Sequence, residues 1–599
     1  MTASIAYKDL IEEAFIEPIR SVMVIDDEYP TLTNLISVIQ NREQNSYKVE
    51  NLDRLQNIIS MCHGEMKWTV DVFDGKDSIE SHIPDRLKHS DLVILDYHLD
   101  GDVNPIDSEK ARDILHSLDR NQHFNIVMVH TNGLQDDIEK VYDEILCDFI
   151  KVTKKHLFEL NNDLDDIVED WLVENDPNED RFLFLKRKFG IKDVVKLINI
   201  DNEKEAYYPQ KPTNFFHPFK ADIQQLTDAI KVDHENIHIK DITQWFGSKI
   251  VLKLVKELKG TREISEVKWG WENEVNYICT DNIFITVIRK QDGPVKAELY
   301  EQLFKSLVKF NPSPMFLLLA KIRHYIDEIG LEQANKITNN KYAQAGWLYN
   351  LLKKSVDVSE HEKAIDIHWE QLGRASKPHL RDFSKKLCES LMLENSNDEK
   401  AIVQKFFKVN NEQTHEVLSN LNAFSCSIPP CSTHLTTGSI LEIDDKFWLC
   451  LSPSCDLVPG QRSRDWEARI GEQYTVFKAV QLNEELNVNK ANDEANTNNY
   501  LFLQDANGVI KAYSIAVGKK NPTWDIFYAH NQGIFDDSRQ IKLTCLRKDT
   551  DNTTSLLSTK EYVATVIAEL RYAYALNFLQ KLGMNQTRIG LNYSDKFLH

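Results

Sequence analysis

Three short apolar runs, each ending on an acidic or hydroxyl residue, constrain this chain more than any other feature. SVMVI at 21–25 leads into Asp26 and Asp27, DLVIL at 91–95 into Asp96, and NIVMVH at 125–130 into Thr131. Amphipathic segments separate them, and TVDVF at 69–73 and DFIKV at 148–152 complete a series of five. Strands alternating with helices are the pattern of a parallel α/β sheet, because each parallel pair needs a crossover long enough to hold a helix. Covered on both faces, such strands read as continuous apolar runs. Five of them make one small doubly wound domain.

In an open parallel sheet, ligands bind outside the carboxyl ends of the strands, where the strand order reverses. Asp26, Asp27, Asp96, Thr131 and Lys151 all fall on that edge. Clustered carboxylates repel one another unless a cation compensates. Mg²⁺ suits them, as a hard ion that takes carboxylate oxygens, keeps several waters and bridges to phosphate. A lysine and a threonine hydroxyl on the same edge would bind the remaining phosphoryl oxygens, so the pattern is that of a phosphoryl-transfer site. Taken singly, an aspartate after an apolar strand is more often a turn or helix cap. Five polar residues in this order outweigh that reading.

VIDDE, LDYHLDG, VMVHTNG and DFIKV resemble, in order, the acidic pair, phosphoacceptor, hydroxyl and lysine motifs of response-regulator receiver domains. The resemblance implies a flavodoxin-like domain with parallel strands ordered 2-1-3-4-5. It implies that Asp96 takes phosphate from the phosphohistidine of a histidine kinase, giving an aspartyl phosphate. Asp27 and Asp96 would ligate Mg²⁺ directly, Asp26 mainly through water, and the backbone carbonyl of His98 would complete the ligands. Thr131, with Asn132 beside it, and Lys151 would bind the phosphoryl group. The sequence departs from the family pattern in a longer stretch between the acidic pair and Asp96. It also has Asp148 where many receivers keep an aromatic switch residue, and Asp100 and Val152 where proline is usual.

A chain of 599 residues exceeds a single core, and three domains are expected in a multidomain α/β plus α+β architecture. These are the receiver with a short N-terminal extension at 1–173, a mostly helical middle region at 183–422, and a β-rich domain at 423–599. LFELNNDLDDIVEDWLVE reads as the helix closing the receiver, and ENDPNEDRF at 174–182 as a linker. NIFITVIR is a strand-like interruption of the helical region, NVNKANDEANTNNY at 487–500 reads as a polar surface loop, and KEYVATVIAELRYAYALNFLQKLG as a long final helix. The tryptophans of KWGWENEV and AGWLYNLL read as core.

A net charge of −22 is the wrong sign for a protein that neutralises nucleic-acid phosphates. No run approaches the roughly eighteen apolar residues of a membrane span, and the first residues lack the basic segment of a signal peptide, so the cytoplasm is the expected compartment. Nine scattered cysteines read as reduced thiols. Cys426 and Cys431, then Cys450 and Cys455, form two C-x4-C units near His434 that would suit zinc, although Cys450 in FWLCL also reads as core. Cys455 in SPSCDL, with His434 and Asp456, would alternatively serve as a nucleophile in an effector enzyme gated by the receiver.

No known output motif follows the receiver, and the expectation is a phosphoacceptor signalling protein rather than an enzyme. The layout resembles receiver-bearing proteins encoded with histidine kinases in bacterial antiviral defence, and within these the stand-alone receiver component of Detocs-type systems. That resemblance implies a phosphate acceptor or buffer, competing with a receiver-effector protein for signal from the kinase.

Overall fold

A computed structural model describes residues 6–41, 47–75, 87, 89–99, 108–121, 123–132, 137–151, 161–178, 180–198, 214–291, 294–338, 340–353, 358–460, 468–505, 507–516, 521–548 and 557–587. The chain divides into two compact units, Met1–Tyr325 with Leu380–Ser390, and Ile326–His379 with Leu391–His599.

The first unit holds strands β1 (Ser21–Ile25), β2 (Thr69–Phe73), β3 (Leu92–Leu95), β4 (Asn125–Thr131), β5 (Ile150–Lys151), β6 (Arg262–Glu263), β7 (Lys268–Glu272), β8 (Val275–Cys279) and β9 (Ile283–Arg289). Its main sheet runs β2-β1-β3-β4-β9-β8-β7. The first five members are mutually parallel, while β8 and β7 extend the edge as an antiparallel hairpin. That hairpin turns through Asn273 and Glu274, both with positive φ, as a two-residue turn matched to strand twist requires. Its Trp269 and Trp271 are partly buried against the core.

The 2-1-3-4-5 order is thus present, but its fifth strand is β9 and not the segment 148–152. β9 pairs with β4 from Asn125↔Ile283 to Thr131↔Arg289. IFITVI is buried throughout and fits a strand covered on both faces. Asp148 and Phe149 are claimed instead by helical periodicity. Val141, Tyr142, Ile145, Leu146 and Phe149 form one buried stripe of the helix Ile138–Phe149, and among the described residues Ile150 and Lys151 pair with β6. Gly260 lets that pairing form, because a Cβ there would lie 2.2 Å from the Phe149 carbonyl carbon.

Between β4 and β9 the chain inserts the helices Ile138–Phe149, Asn162–Asn175, Ile191–Ile198, Lys220–Ile230 and Ile239–Leu254. They share one continuous core with the sheet, from Val127 and Val129 to Phe216, Leu226 and Phe246. The expected linker at 174–182 lies inside this unit. Asp176 accepts backbone N–H bonds from Asp180, Arg181 and Phe182, and Phe182 is buried. The helix Asn162–Asn175 therefore opens an inserted layer rather than closing the domain.

The second unit contains β10 (Ser427–Ile428), β11 (Ser439–Ile443), β12 (Lys446–Cys450), β13 (Thr475–Gln481), β14 (Asn483–Glu485), β15 (Tyr500–Gln504), β16 (Ile510–Ser514), β17 (Trp524–Ala529), β18 (Gln540–Lys548) and β19 (Leu557–Leu570). β19, β11, β12, β13, β17 and β18 follow one another around a barrel closed by the β18–β19 pairing. Trp448, Cys450, Phe477, Phe527, Leu543 and Ala564 fill its interior. A separate sheet, β14-β16-β15, shares a second core with the helices Thr414–Cys426 and Tyr572–Gln586.

Three expectations are corrected here. The first half of the expected final helix is strand β19, because β-branched residues in KEYVATVIAEL satisfy both β18 and β11, and the helix begins only at Tyr572. The polar run at 487–500 contains a short helix, Val488–Asp493, capped by Asn487, with Ala491 fully buried. AGWLYNLL is not core: Trp347, Leu348, Tyr349 and Leu352 lie exposed on the helix Lys341–Lys353. Among the described residues no helix is long and apolar enough to cross a membrane.

Candidate phosphoacceptor site

The ladder of the main sheet brings its polar residues together. Asp26 N–H donates to the Phe73 carbonyl at 3.1 Å, Asp96 N–H to Ile25 at 2.8 Å, and Lys290 N–H to Thr131 at 2.9 Å, so the carboxyl ends of β1, β3, β4 and β9 are in line. Asp26 and Asp96 are buried, Asp27 is half-buried, and one carboxylate oxygen from each lies within 4.8 Å of the others. Thr131 is fully buried at the end of β4, while the next residue, Asn132, is exposed. His98 is half-buried two positions past Asp96.

The lysine of this pocket is Lys290, the residue directly after β9. Its Nζ lies 2.9 Å from Asp96 Oδ1 and 3.0 Å from Asp26 Oδ2. Lys151, expected in this role, instead pairs with Glu263 at 3.2 Å, where both side chains are substantially exposed. The correction follows from the strand exchange, since whichever strand lies beside β4 delivers its terminal residue to the pocket. β9 carries the signal in its sequence, an apolar run ending on lysine, but a long insertion separates it from the other motifs. With Lys290 as reference, the position three before is Val287, again not aromatic, and the residue after is Gln291. Asp100 and Val152 lie outside the described residues.

Burial pushes the Asp96 carboxyl up to about 7, against the pull of Lys290. The two carboxylates hold the Lys290 ammonium far above its ordinary range despite burial, so it stays charged. Lys290 bridges two of the three carboxylates, Asp96 and Asp26. A divalent hard cation suits a cluster of three such carboxylate oxygen donors. Asp26, Asp27 and Asp96 would hold Mg²⁺.

One further cluster borders the pocket and was not legible in the sequence. Glu298 Oε1 binds Arg54 and His130, residues from the helix Val49–Ser60 and from β4, and accepts the Gln291 N–H at 3.2 Å. Arg54 also donates to the Gln291 carbonyl at 3.1 Å. Burial holds the His130 imidazolium down, leaving a neutral ring. These contacts tie the residues adjoining Thr131 and Lys290 to the enlarged segment after β1.

The C-terminal candidates are not assembled into a site. Cys426 lies in the core beside β15, its thiol 3.2 Å from the Phe502 carbonyl, and Cys450 is inside the barrel. Cys431 is exposed, with its thiol 3.4 Å from Glu569 Oε2. Cys455 is exposed on the short helix Ser454–Leu457, 3.5 Å from Asp456 Oδ1, and His434 forms a bridge with Ile534. Among the described residues the metal-binding group of side chains is the aspartate cluster, and no zinc set forms.

No curated protein and no solved structure matches the chain. Residues 18–184 match the family model of the response receiver domain, a span that ends within the inserted helices and short of β9. With the acidic pocket at the carboxyl edge of a 2-1-3-4-9 parallel sheet, that match means the chain carries a response receiver domain.

Proposed function

We propose that this protein is a response regulator that accepts a phosphoryl group on Asp96 from a phosphohistidine donor and stores or relays it. The observation that carries this reading is the bridge from Lys290 to both Asp26 and Asp96 beside Asp27. It puts a lysine and three grouped carboxylates at the edge where a parallel sheet binds ligands.

Asp96 is the nucleophile: one carboxylate oxygen attacks phosphorus, the P–O bond forms as the P–N bond to the donor imidazole breaks, and the imidazole leaves with a proton. When bound, Mg²⁺ would offset the charge on the transferring phosphoryl oxygens. Lys290 stays charged throughout and can follow the new negative charge from carboxylate to phosphate. The Thr131 hydroxyl stands at the end of the neighbouring strand as a further donor. The histidine kinase, and a receiver-effector competing for its phosphate in antiviral defence, belong to this reading through the resemblance to Detocs-type receivers.

The test is intact mass after incubation with Mg²⁺ and acetyl phosphate. Wild type should gain one phosphate and Asp96→Asn none. Equal labelling of both proteins would sink the assignment.

A further inference from the structure

Lys290 stands just beyond the last paired residue of β9 and carries its charge on a flexible four-carbon stem, so its place in the pocket depends on how the backbone is set. The Lys290 N–H is held by the Thr131 carbonyl at 2.9 Å. The next residue, Gln291, has both of its polar backbone atoms held by side chains from other elements. Its N–H donates to Glu298 Oε1 at 3.2 Å, and its carbonyl accepts from Arg54 at 3.1 Å. Arg54 belongs to the helix Val49–Ser60 and Glu298 to the helical turn Ala297–Glu301. The two also bond each other, and both reach the ring of His130, the residue before Thr131.

Glu298 is buried and the Arg54 side chain largely so. Taking two charges out of water is costly, and apolar residues of similar volume would fasten the same elements without that cost. Arg54 Nε and Glu298 Oε2 are moreover buried without a hydrogen-bond partner. Two of the bonds this pair does make converge on one backbone position, which apolar side chains could not hold. That position adjoins the lysine bound to Asp26 and Asp96. A cation assists phosphoryl transfer most when it is in place before the reaction begins.

We propose that Arg54 and Glu298 are positioning residues of the phosphoacceptor site: by bonding both polar backbone atoms of Gln291 they fix the chain after β9 and so hold the Lys290 ammonium on Asp96 and Asp26. Their action is indirect and passes through Lys290. Its effect on rate rests on the reading of Asp96 as phosphoacceptor, whereas the placement of Lys290 is measurable without phosphate.

The test compares the full-length wild type with Arg54→Met and with Arg54→Met/Glu298→Gln. The second variant removes both charges together, so no buried carboxylate is stranded, and it carries the test if thermal melts show the first to be unfolded. Acylation of lysines without Mg²⁺ or phosphate, read by peptide mass spectrometry, reports the placement of Lys290. Both variants should label Lys290 at least about threefold faster than wild type, with Lys151 unchanged, because the loosening is local. Phosphorylation by acetyl phosphate with Mg²⁺ should slow about 10-fold in both. Where Lys290→Ala is already present, the same changes should slow it by less than about twofold, since residues acting through one group are not additive.

Unchanged labelling of Lys290, or an equal rise at Lys151, would overturn the proposal. So would a wild-type rate in the paired variant, which would trace the loss to a stranded charge, or an equal loss in the Lys290→Ala background, which would make the role structural. Failure of the phosphoacceptor reading shows differently, as no phosphate gain in wild type itself, and the labelling would still decide whether Arg54 and Glu298 place Lys290.

Discussion

Lys290 and Asp26 stand 264 positions apart in the chain, yet Lys290 Nζ and Asp26 Oδ2 meet at 3.0 Å in a buried pocket. The contact exists because β9 adds in parallel to β4 after a helical insertion has been completed. The insertion is therefore not an appendage to the phosphoacceptor site. Its folding must leave β9 free to deliver the lysine.

Removing that lysine should be far more damaging than removing Lys151. Lys290→Ala leaves two buried carboxylates without their counter-charge and deprives the transferring phosphoryl group of a preorganised cation. The rate of phosphorylation by acetyl phosphate should fall on the order of 100-fold. Lys151→Ala, which breaks only a largely exposed pair with Glu263, should stay within about twofold of wild type. Intact-mass time courses decide between them, and the opposite ranking would return the role to Lys151.

Phosphorylation should slow in mild acid. Burial raises the Asp96 carboxyl to about 7, and its ionised form is far more nucleophilic toward phosphorus than the neutral acid. Below that pH the initial rate should drop by up to about tenfold per unit. Mg²⁺ favours the ionised carboxylate, so the inflection should move to lower pH as the metal approaches saturation. Rates measured across pH at low and high Mg²⁺ check both statements. An inflection that ignores the metal would contradict Mg²⁺ binding at Asp96.

The Glu298 cluster should be a strong contributor to stability. Glu298→Ala would leave the largely buried Arg54 guanidinium without its carboxylate and the Gln291 N–H without an acceptor. Breaking a buried pair from one side costs about 3–5 kcal/mol. A lowered urea midpoint, followed by tryptophan fluorescence, would show it. A midpoint shift equivalent to less than about 1 kcal/mol would mean that the cluster behaves like a surface ion pair.

Native alkylation should mark three thiols. Cys388, Cys431 and Cys455 are exposed, whereas Cys62, Cys147, Cys279, Cys426, Cys450 and Cys545 are buried. Cys455 should react before Cys431, whose thiol is raised by partial burial and by the neighbouring Glu569 carboxylate. Iodoacetamide labelling followed by peptide mass spectrometry reads the order. Early labelling of Cys426 or Cys450 would contradict the two cores that enclose them.

The sequence by itself determined the parallel α/β character of the first unit and the positions of Asp26, Asp27, Asp96 and Thr131. Each of these residues directly follows, or ends, a short apolar run, and that local pattern survives any arrangement of the rest. Tertiary structure decided the fifth strand, the lysine and the closed barrel. Two segments, DFIKV and NIFITVIRK, both offered a strand ending near a lysine, and the choice turned on which could pair along all of β4 while burying both faces. Likewise KEYVATVIAEL has helical spacing as well as β-branched content, and only the presence of β18 and β11 on its two sides made it a strand. The partners of Arg54 and Glu298 lie on other elements, so their place at the pocket follows from long-range packing and from no local pattern.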